Sequence, residues 1–190
     1  MITTSEQWEQ QLIARAQAGD THAFDILVSN YAPQIYRLAL RMLGDAEEAE
    51  EALQETMIRA FRSLRKFRGN AAFGTWLYAI ASKRCLTRRQ RRRRQPEIVA
   101  FDDLCEMHGS MNDPGELVIQ REHGLSVQRA LGALSPPTRL LMVLRYVEGL
   151  SHEEIAQVLG CTVAACRVRL CRARADFRTL LMRELDDGEM

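Results

Sequence analysis

The chain has 190 residues, a formal net charge of +1 and 46% apolar residues, enough for one large packed domain or two small ones and too apolar for a chain that stays unfolded. Aromatic residues make up only 6% and there are 11 Gly and 5 Pro, which points away from β-sandwiches and towards helices. No run approaches the ~20 apolar residues that cross a bilayer. Met1-Ile2-Thr3-Thr4-Ser5-Glu6 carries neither the basic nor the apolar part of a secretory signal, so a cytoplasmic protein that does not insert into a membrane is expected. Five cysteines, Cys85, Cys105, Cys161, Cys166 and Cys171, are then expected as reduced thiols rather than disulfides.

Apolar residues recur at helical spacing along most of the chain. Leu12, Ile13 and Ala16 mark a first helix. Phe24, Leu27, Val28 and Tyr31, continued by Ile35, Leu38, Ala39, Met42 and Leu43, predict a second segment that runs to Gly44. Ala49, Ala52, Leu53, Met57, Ala60, Phe61 and Leu64 form the next stripe, ending near Phe67-Arg68-Gly69-Asn70. Phe73, Trp76, Leu77, Ile80 and Ala81 open a fourth helix that runs into Lys83-Arg84 and the Arg88 to Arg94 run.

Periodicity stops between Gln95 and Asp113, a stretch with Pro96, Gly109 and scattered Asp and Glu but no Lys or Arg. So long a loop is unusual inside one domain, and it reads as an acidic linker, residues 95–113, between domains at 1–94 and 114–190. Asp113-Pro114-Gly115-Glu116 carries helix-start signals. Ser135-Pro136 opens the next helix, with Leu140, Leu141, Val143, Leu144 and Val147 as its buried face. Ser151-His152-Glu153-Glu154 reads as a capping box, and Ile155, Ala156, Val158 and Leu159 bury the short helix behind it. After Gly160-Cys161-Thr162, with Thr162 as the cap, a last helix is expected through about Leu181. The fold class is all-α, and the short helix, turn and second helix form a helix-turn-helix candidate.

Charge is segregated behind the small net value. The last helix carries Arg167, Arg169, Arg172, Arg174 and Arg178, while Val163, Cys166, Leu170 and Phe177 can face a core. Such a helix suits a DNA groove, although an ordinary solvated amphipathic helix shares the pattern. Lys83 to Arg94 contains no acid and would bind phosphate strongly at low salt. It follows Phe73-Gly74-Thr75-Trp76-Leu77-Tyr78, and aromatic rings beside a basic track suit unstacked single-stranded bases; Trp76 itself reads better as core. By contrast, Asp45 to Glu55 is acidic with no basic residue, a face that DNA would repel.

Three blocks resemble a known family. Ala49-Glu50-Glu51-Ala52-Leu53-Gln54-Glu55-Thr56, with Ala60-Phe61-Arg62, resembles the core-polymerase-binding motif of bacterial sigma factors. Phe67 to Ala81 resembles the promoter-melting segment that follows it. Gly149 to Ala156 and Arg167 to Arg174 resemble the family's C-terminal helix-turn-helix. Their order and the chain length are similar to the extracytoplasmic-function (group IV) type, which keeps domains two and four.

The resemblance implies a polymerase-docking helix that uses Glu48, Glu50, Glu51, Leu53, Gln54, Glu55, Ile58, Phe61 and Arg62 on the β′ clamp helices, with the β flap as a second contact. It implies minus-ten recognition and melting by Arg68, Asn70, Phe73, Thr75 and Trp76, with Lys83, Arg84, Arg88 and Arg91 on the strand backbone. It implies minus-thirty-five reading by the helix-turn-helix from Glu153 to Arg172, through Ser151, Glu153, Thr162, Ala164, Ala165, Arg167, Arg169 and Arg172. A cognate anti-sigma factor is the further partner implied. The chain departs from the family at Ala164-Ala165-Cys166-Arg167-Val168-Arg169, where Ala and Val offer apolar contact to thymine methyls in place of hydroxyl hydrogen bonds. It departs again at Ala52, where many members carry a larger apolar residue.

Cys161, Cys166 and Cys171 are five residues apart, so successive side chains turn by about 140° on a helix and do not converge on one ion. No metal site, cofactor or catalytic constellation is expected, and hence no enzyme. Two function classes remain: an initiation factor that works only with RNA polymerase, and a self-sufficient dimeric helix-turn-helix regulator of operator DNA. The acidic helix and the two-domain layout favour the first.

Overall fold

A computed structural model describes residues 4–92 and 125–186, and every regular element among the described residues is a helix. The acidic stretch 95–113 and the helix start expected at Asp113 to Glu116 lie outside the described residues.

The first half comprises α1 (Thr4–Gln17), α2 (Thr21–Ser29), α3 (Ala32–Leu43), α4 (Ala46–Ser63) and α5 (Phe73–Arg92). Each start has a local cause. The Asp20 carboxylate accepts from the Ala23 amide at 3.0 Å and caps α2, and Asp45 accepts from the Glu48 amide at 2.8 Å and caps α4. The single segment expected from Phe24 to Gly44 is in fact two helices, broken at Asn30–Tyr31. Pro33 explains the break: lacking an amide hydrogen, it is tolerated only in a helix's first turn, so a new helix begins at Ala32. After α4 a short 3-10 turn, Leu64–Lys66, leads into the loop before α5.

Leu27, Ile35, Leu38, Met42, Phe73 and Leu77 fill the core of this half. Ala49, Ala52 and Ala60 form the buried stripe of α4, so its backbone comes close to α3 and α5. Ala52 therefore belongs to the core, not to an outward docking surface. Gly74, in the first turn of α5, is dictated by sterics. A Cβ there would lie 2.7 Å from Tyr31 Cε1, and the Tyr31 ring is held edge-on to Phe73.

The second half comprises α6 (residues 125–133), α7 (Pro136–Met142), which runs on as one π-helical turn (Val143–Val147), α8 (His152–Leu159) and α9 (Val163–Asp186). Ser135 caps α7 as expected, and the Ser151–Glu154 capping box opens α8. Gly160 ends α8 in the left-handed region, φ 62°, which costs glycine nothing and turns the chain into α9. The last helix continues five residues beyond the expected Leu181, to Asp186.

The sequence offered no sign that the two halves pack together. α5 lies against α8 and α7, α3 meets the π turn, and buried Leu140, Leu144 and Ile155 join the core of the first half.

Candidate polymerase and nucleic-acid interfaces

The outward face of α4 combines charge with exposed apolar surface. Glu51, Gln54, Ile58, Phe61 and Arg62 recur at spacings of three and four, which places them on one side of the helix, and all are exposed, as is Glu50. Ile58 is 51% and Phe61 47% exposed, although α2 supports the Phe61 ring through an edge contact with Phe24 at 5.1 Å. Glu48, Leu53 and Glu55 are half-buried at its border.

The acidic and basic blocks that look separate in the sequence meet along one edge of α4. Arg88 donates from Nη1 to Glu51 at 2.7 Å and from Nη2 to Glu55 at 2.6 Å, and Arg84 lies 3.7 Å from Glu55. The hydrogen bond from Arg88 holds the Glu55 carboxyl below its usual range. Two of the four cations assigned to the DNA backbone are thus already paired with residues assigned to polymerase docking, while Lys83 and Arg91 remain exposed.

The loop before α5 presents Arg68 and Asn70 to solvent beside an open cleft of about 660 Å³, lined on its far wall by Glu9, Gln10 and Ile13 of α1. The Gln17 side chain fixes the base of this loop, donating to the Leu64 carbonyl at 3.0 Å and the Phe67 carbonyl at 2.8 Å. Phe73 and Thr75 do not fit the direct base contact expected of them. They are only 1% and 4% exposed, because their positions on α5 point into the helical bundle. Trp76 is half-buried, with its ring centre 5.1 Å from that of Phe67 and 5.5 Å from that of Phe73. This aromatic cluster props the loop from behind, and Arg68 and Asn70 are the residues left facing outward.

A second cleft, of about 310 Å³, opens between α4 and α5 and gathers Arg59, Arg62, Lys66, Lys83 and Arg84. Arg59 and Lys66 escaped the sequence reading because they lie outside the two charge runs; their positions on the α4 stripe and the turn after it were the available signal. Gln17 gave none, since a glutamine near a helix end is unremarkable without its tertiary partner.

In the second half, Thr162 Oγ1 accepts from the Ala165 amide at 3.2 Å and the Ser151 hydroxyl accepts from the Glu154 amide at 3.1 Å. Both side chains work as helix caps. Cys166, Leu170 and Ala173 bury the inner face of α9, leaving Ala164, Arg167, Val168, Arg169 and Arg172 exposed and Ala165 half-buried. Arg167 lies 3.6 Å from Glu153 of α8. Arg145, Tyr146, His152 and Arg174 surround a cleft of about 470 Å³ that also includes Arg167. A short capped helix, a left-handed glycine turn and a second helix with an outward basic face reproduce the geometry of a helix-turn-helix. On α5, burial pushes the Cys85 thiol up to about 12, which makes it a packing residue rather than a thiolate.

Comparison with known proteins matches residues 27–95 to the family described as sigma-70 region 2 and residues 124–177 to sigma-70 region 4. The chain is 40% identical over 180 residues to the RNA polymerase sigma-H factor of Pseudomonas aeruginosa, covering 91% of this chain and 93% of that one. It is 35% identical over 173 residues to the ECF RNA polymerase sigma-E factor of Escherichia coli K12, covering 87% and 90%. Among solved structures it is similar to CnrH in complex with the cytosolic domain of CnrY, with 26% identity, a TM-score of 0.68 and coverage of 93% and 98%. The fold is shared with the sigma factor RpoE of Bartonella quintana, solved with the anti-sigma factor NepR, at 23% identity and a TM-score of 0.64 over 84% and 96% of the two chains. The chain belongs to the sigma-70 family of RNA polymerase sigma factors, in its extracytoplasmic-function branch.

Proposed function

We propose that this sigma factor docks on core polymerase through the outward face of α4 and reads promoter DNA through two separate surfaces. The observation that carries the reading is the pairing, in one chain, of a DNA-type helix-turn-helix with an exposed face that DNA repels. Glu50, Glu51, Gln54, Ile58, Phe61 and Arg62 form that face, and its apolar centre with a charged rim suits a protein partner. The β′ clamp helices are the partner the family implies, with the β flap as a second contact for residues 114–190.

Arg68 and Asn70 are the residues placed to hold a flipped minus-ten base, with Lys83 and Arg91 on the strand backbone. In α9, Arg167, Arg169 and Arg172 meet the minus-thirty-five duplex, and Ala164 and Val168 offer apolar contact to thymine methyls. The chain performs no covalent chemistry: it lends sequence discrimination and strand separation to the polymerase. Among the described residues no helix is long and apolar enough to cross a membrane, and a cytoplasmic location follows from where the polymerase works. A cognate anti-sigma factor completes the set of partners.

The test is a gel shift on promoter DNA with and without core polymerase. Specific binding that requires core polymerase is expected. Tight specific binding by the chain alone, with two-fold symmetric protection, would instead mark a self-sufficient regulator.

A further inference from the structure

We propose that Gln17, the last residue of α1, is a positioning residue for base discrimination: it holds the loop that precedes α5 in the orientation from which Arg68 and Asn70 read a strand. This rests on the minus-ten role given to those two residues above. A glutamine amide carries two N–H hydrogens, and Gln17 directs both at the same turn. Its Nε2 donates to the Leu64 carbonyl at 3.0 Å and to the Phe67 carbonyl at 2.8 Å, across 47 and 50 residues of chain. Leu64 opens the 3-10 turn after α4 and Phe67 follows that turn, at a helix end where backbone carbonyls need donors from elsewhere. The Leu64 carbonyl already accepts from the Phe67 amide at 2.9 Å, so Gln17 adds a second donor there and carries the tie one step further, to the start of the loop.

That step decides where the loop points. The Phe67 carbonyl belongs to the peptide unit that joins Phe67 to Arg68. A peptide unit is planar and carries the next Cα in its plane, so a bond to this oxygen fixes how the chain enters Arg68. Gly69 then bends the chain in the left-handed region, φ 72°, and any swing of the plane before the bend is passed to Asn70 after it. The ring of Phe67 is held from the other side, by Phe73 and Trp76 of α5 with centres 5.7 Å and 5.1 Å away. One residue is thus gripped by α5 through its side chain and by α1 through its carbonyl. Arg68 and Asn70 are exposed, and their placement is inherited from the backbone held in this way.

The surroundings of Gln17 separate this role from a stabilising one. Gln17 is half-buried and lines the open cleft between α1 and the loop, so water can take the place of its amide and leave both carbonyls with a donor. Water satisfies these oxygens without tying them to α1. Leu64 remains a buried core residue through its own side chain. Removing the amide therefore costs the fold little and costs the loop its orientation. A loop that must be ordered at each encounter loses affinity for every base and adapts to several, whereas one set beforehand by supporting hydrogen bonds favours the base that fits.

The test is run-off transcription by core polymerase carrying the full chain, on paired templates that differ at the most strongly selected minus-ten base or at one minus-thirty-five base. Gln17→Met keeps the length of the side chain and loses both donors. Gln17→Glu keeps the shape, replaces the donors with acceptors, and repeats the test should the methionine variant fold poorly. Both are expected to melt within about 4 °C of wild type. The minus-ten preference should fall at least ~5-fold, the low end of what a paired base contact discriminates, with the minus-thirty-five preference unchanged. An equal fall in yield on all templates, with the minus-ten preference intact, would mark a merely structural role and overturn the proposal. Added to Arg68→Ala with Asn70→Ala, Gln17→Met should lower the preference no further, because residues that act through one another are not additive; a second fall of the same size would also overturn it. A minus-ten preference that survives Arg68→Ala with Asn70→Ala faults the reading of the loop and this proposal with it, whereas one lost with them but kept by Gln17→Met faults the role of Gln17 alone.

Discussion

Arg88 donates to Glu55 across 2.6 Å and to Glu51 across 2.7 Å, tying the helix that carries the acidic face to the helix that carries the basic run. The neutral overall balance of the chain is thus repeated on a small scale along the α4–α5 edge. Because these side chains remain partly exposed, the tie contributes at most about 1 kcal/mol. Arg88→Ala is expected to lower stability by that amount at neutral pH. The sign with pH follows from Glu55, whose carboxyl is held below its usual range by Arg88. A carboxyl depressed on folding stabilises the protein above its unfolded pKa and loses that contribution as pH falls through the folded pKa. Urea denaturation of both proteins should therefore differ at pH 7 and converge in acid; a constant difference would contradict the pairing.

Ile58 is the sharpest probe of the docking proposed for the outward face of α4. It is more than half exposed at the centre of the α4 surface, so Ile58→Asp should change folding stability by no more than ~0.5 kcal/mol. If that surface meets polymerase, the same change should weaken core capture by at least ~30-fold, as expected for an interface hot spot of about 2 kcal/mol. Fluorescence anisotropy against core polymerase measures the second effect and thermal denaturation the first.

Gly74 tests the packing behind the loop that precedes α5. Gly74→Ala would drive a methyl group to within 2.7 Å of the Tyr31 ring, which is fixed by Phe73 on one side and by its hydroxyl's 2.5 Å hydrogen bond to Glu9 on the other. The expected loss is about 1–3 kcal/mol from overpacking, reduced by up to ~1 kcal/mol of gained helix propensity. An unchanged melting temperature would show that the Tyr31 ring yields.

Arg167 distinguishes base reading from phosphate holding. It is exposed on the outer face of α9, and its neighbour Glu153 is also exposed. Arg167→Ala should weaken minus-thirty-five binding by ~1–3 kcal/mol at one base position if it reads that base with two hydrogen bonds. An equal loss on every sequence would instead assign it to the backbone.

Helix content, caps and the helix-turn-helix were legible in the sequence because each has a local cause. The Ser151–Glu154 capping box, the Ser135 cap and the Thr162 cap depend on neighbours three residues away. What escaped depends on contacts distant in sequence. Arg88 finds Glu51 across 37 residues, Gln17 finds Phe67 across 50, and Arg37 finds Glu148 across 111. Phe73 and Thr75 show the same limit from another side: their membership of a motif was visible, but which face of α5 enters the core was not. The break at Tyr31 was the one local signal misread, since Pro33 announced it.

The most direct measurement of the central claim is run-off transcription by core polymerase, with this chain added, across a library of promoter sequences. New start sites are expected whose upstream sequences share one minus-ten and one minus-thirty-five element, and Ile58→Asp should abolish them. Polymerase that gains no start site in the presence of the folded chain, or start sites that Ile58→Asp leaves untouched, would contradict the account.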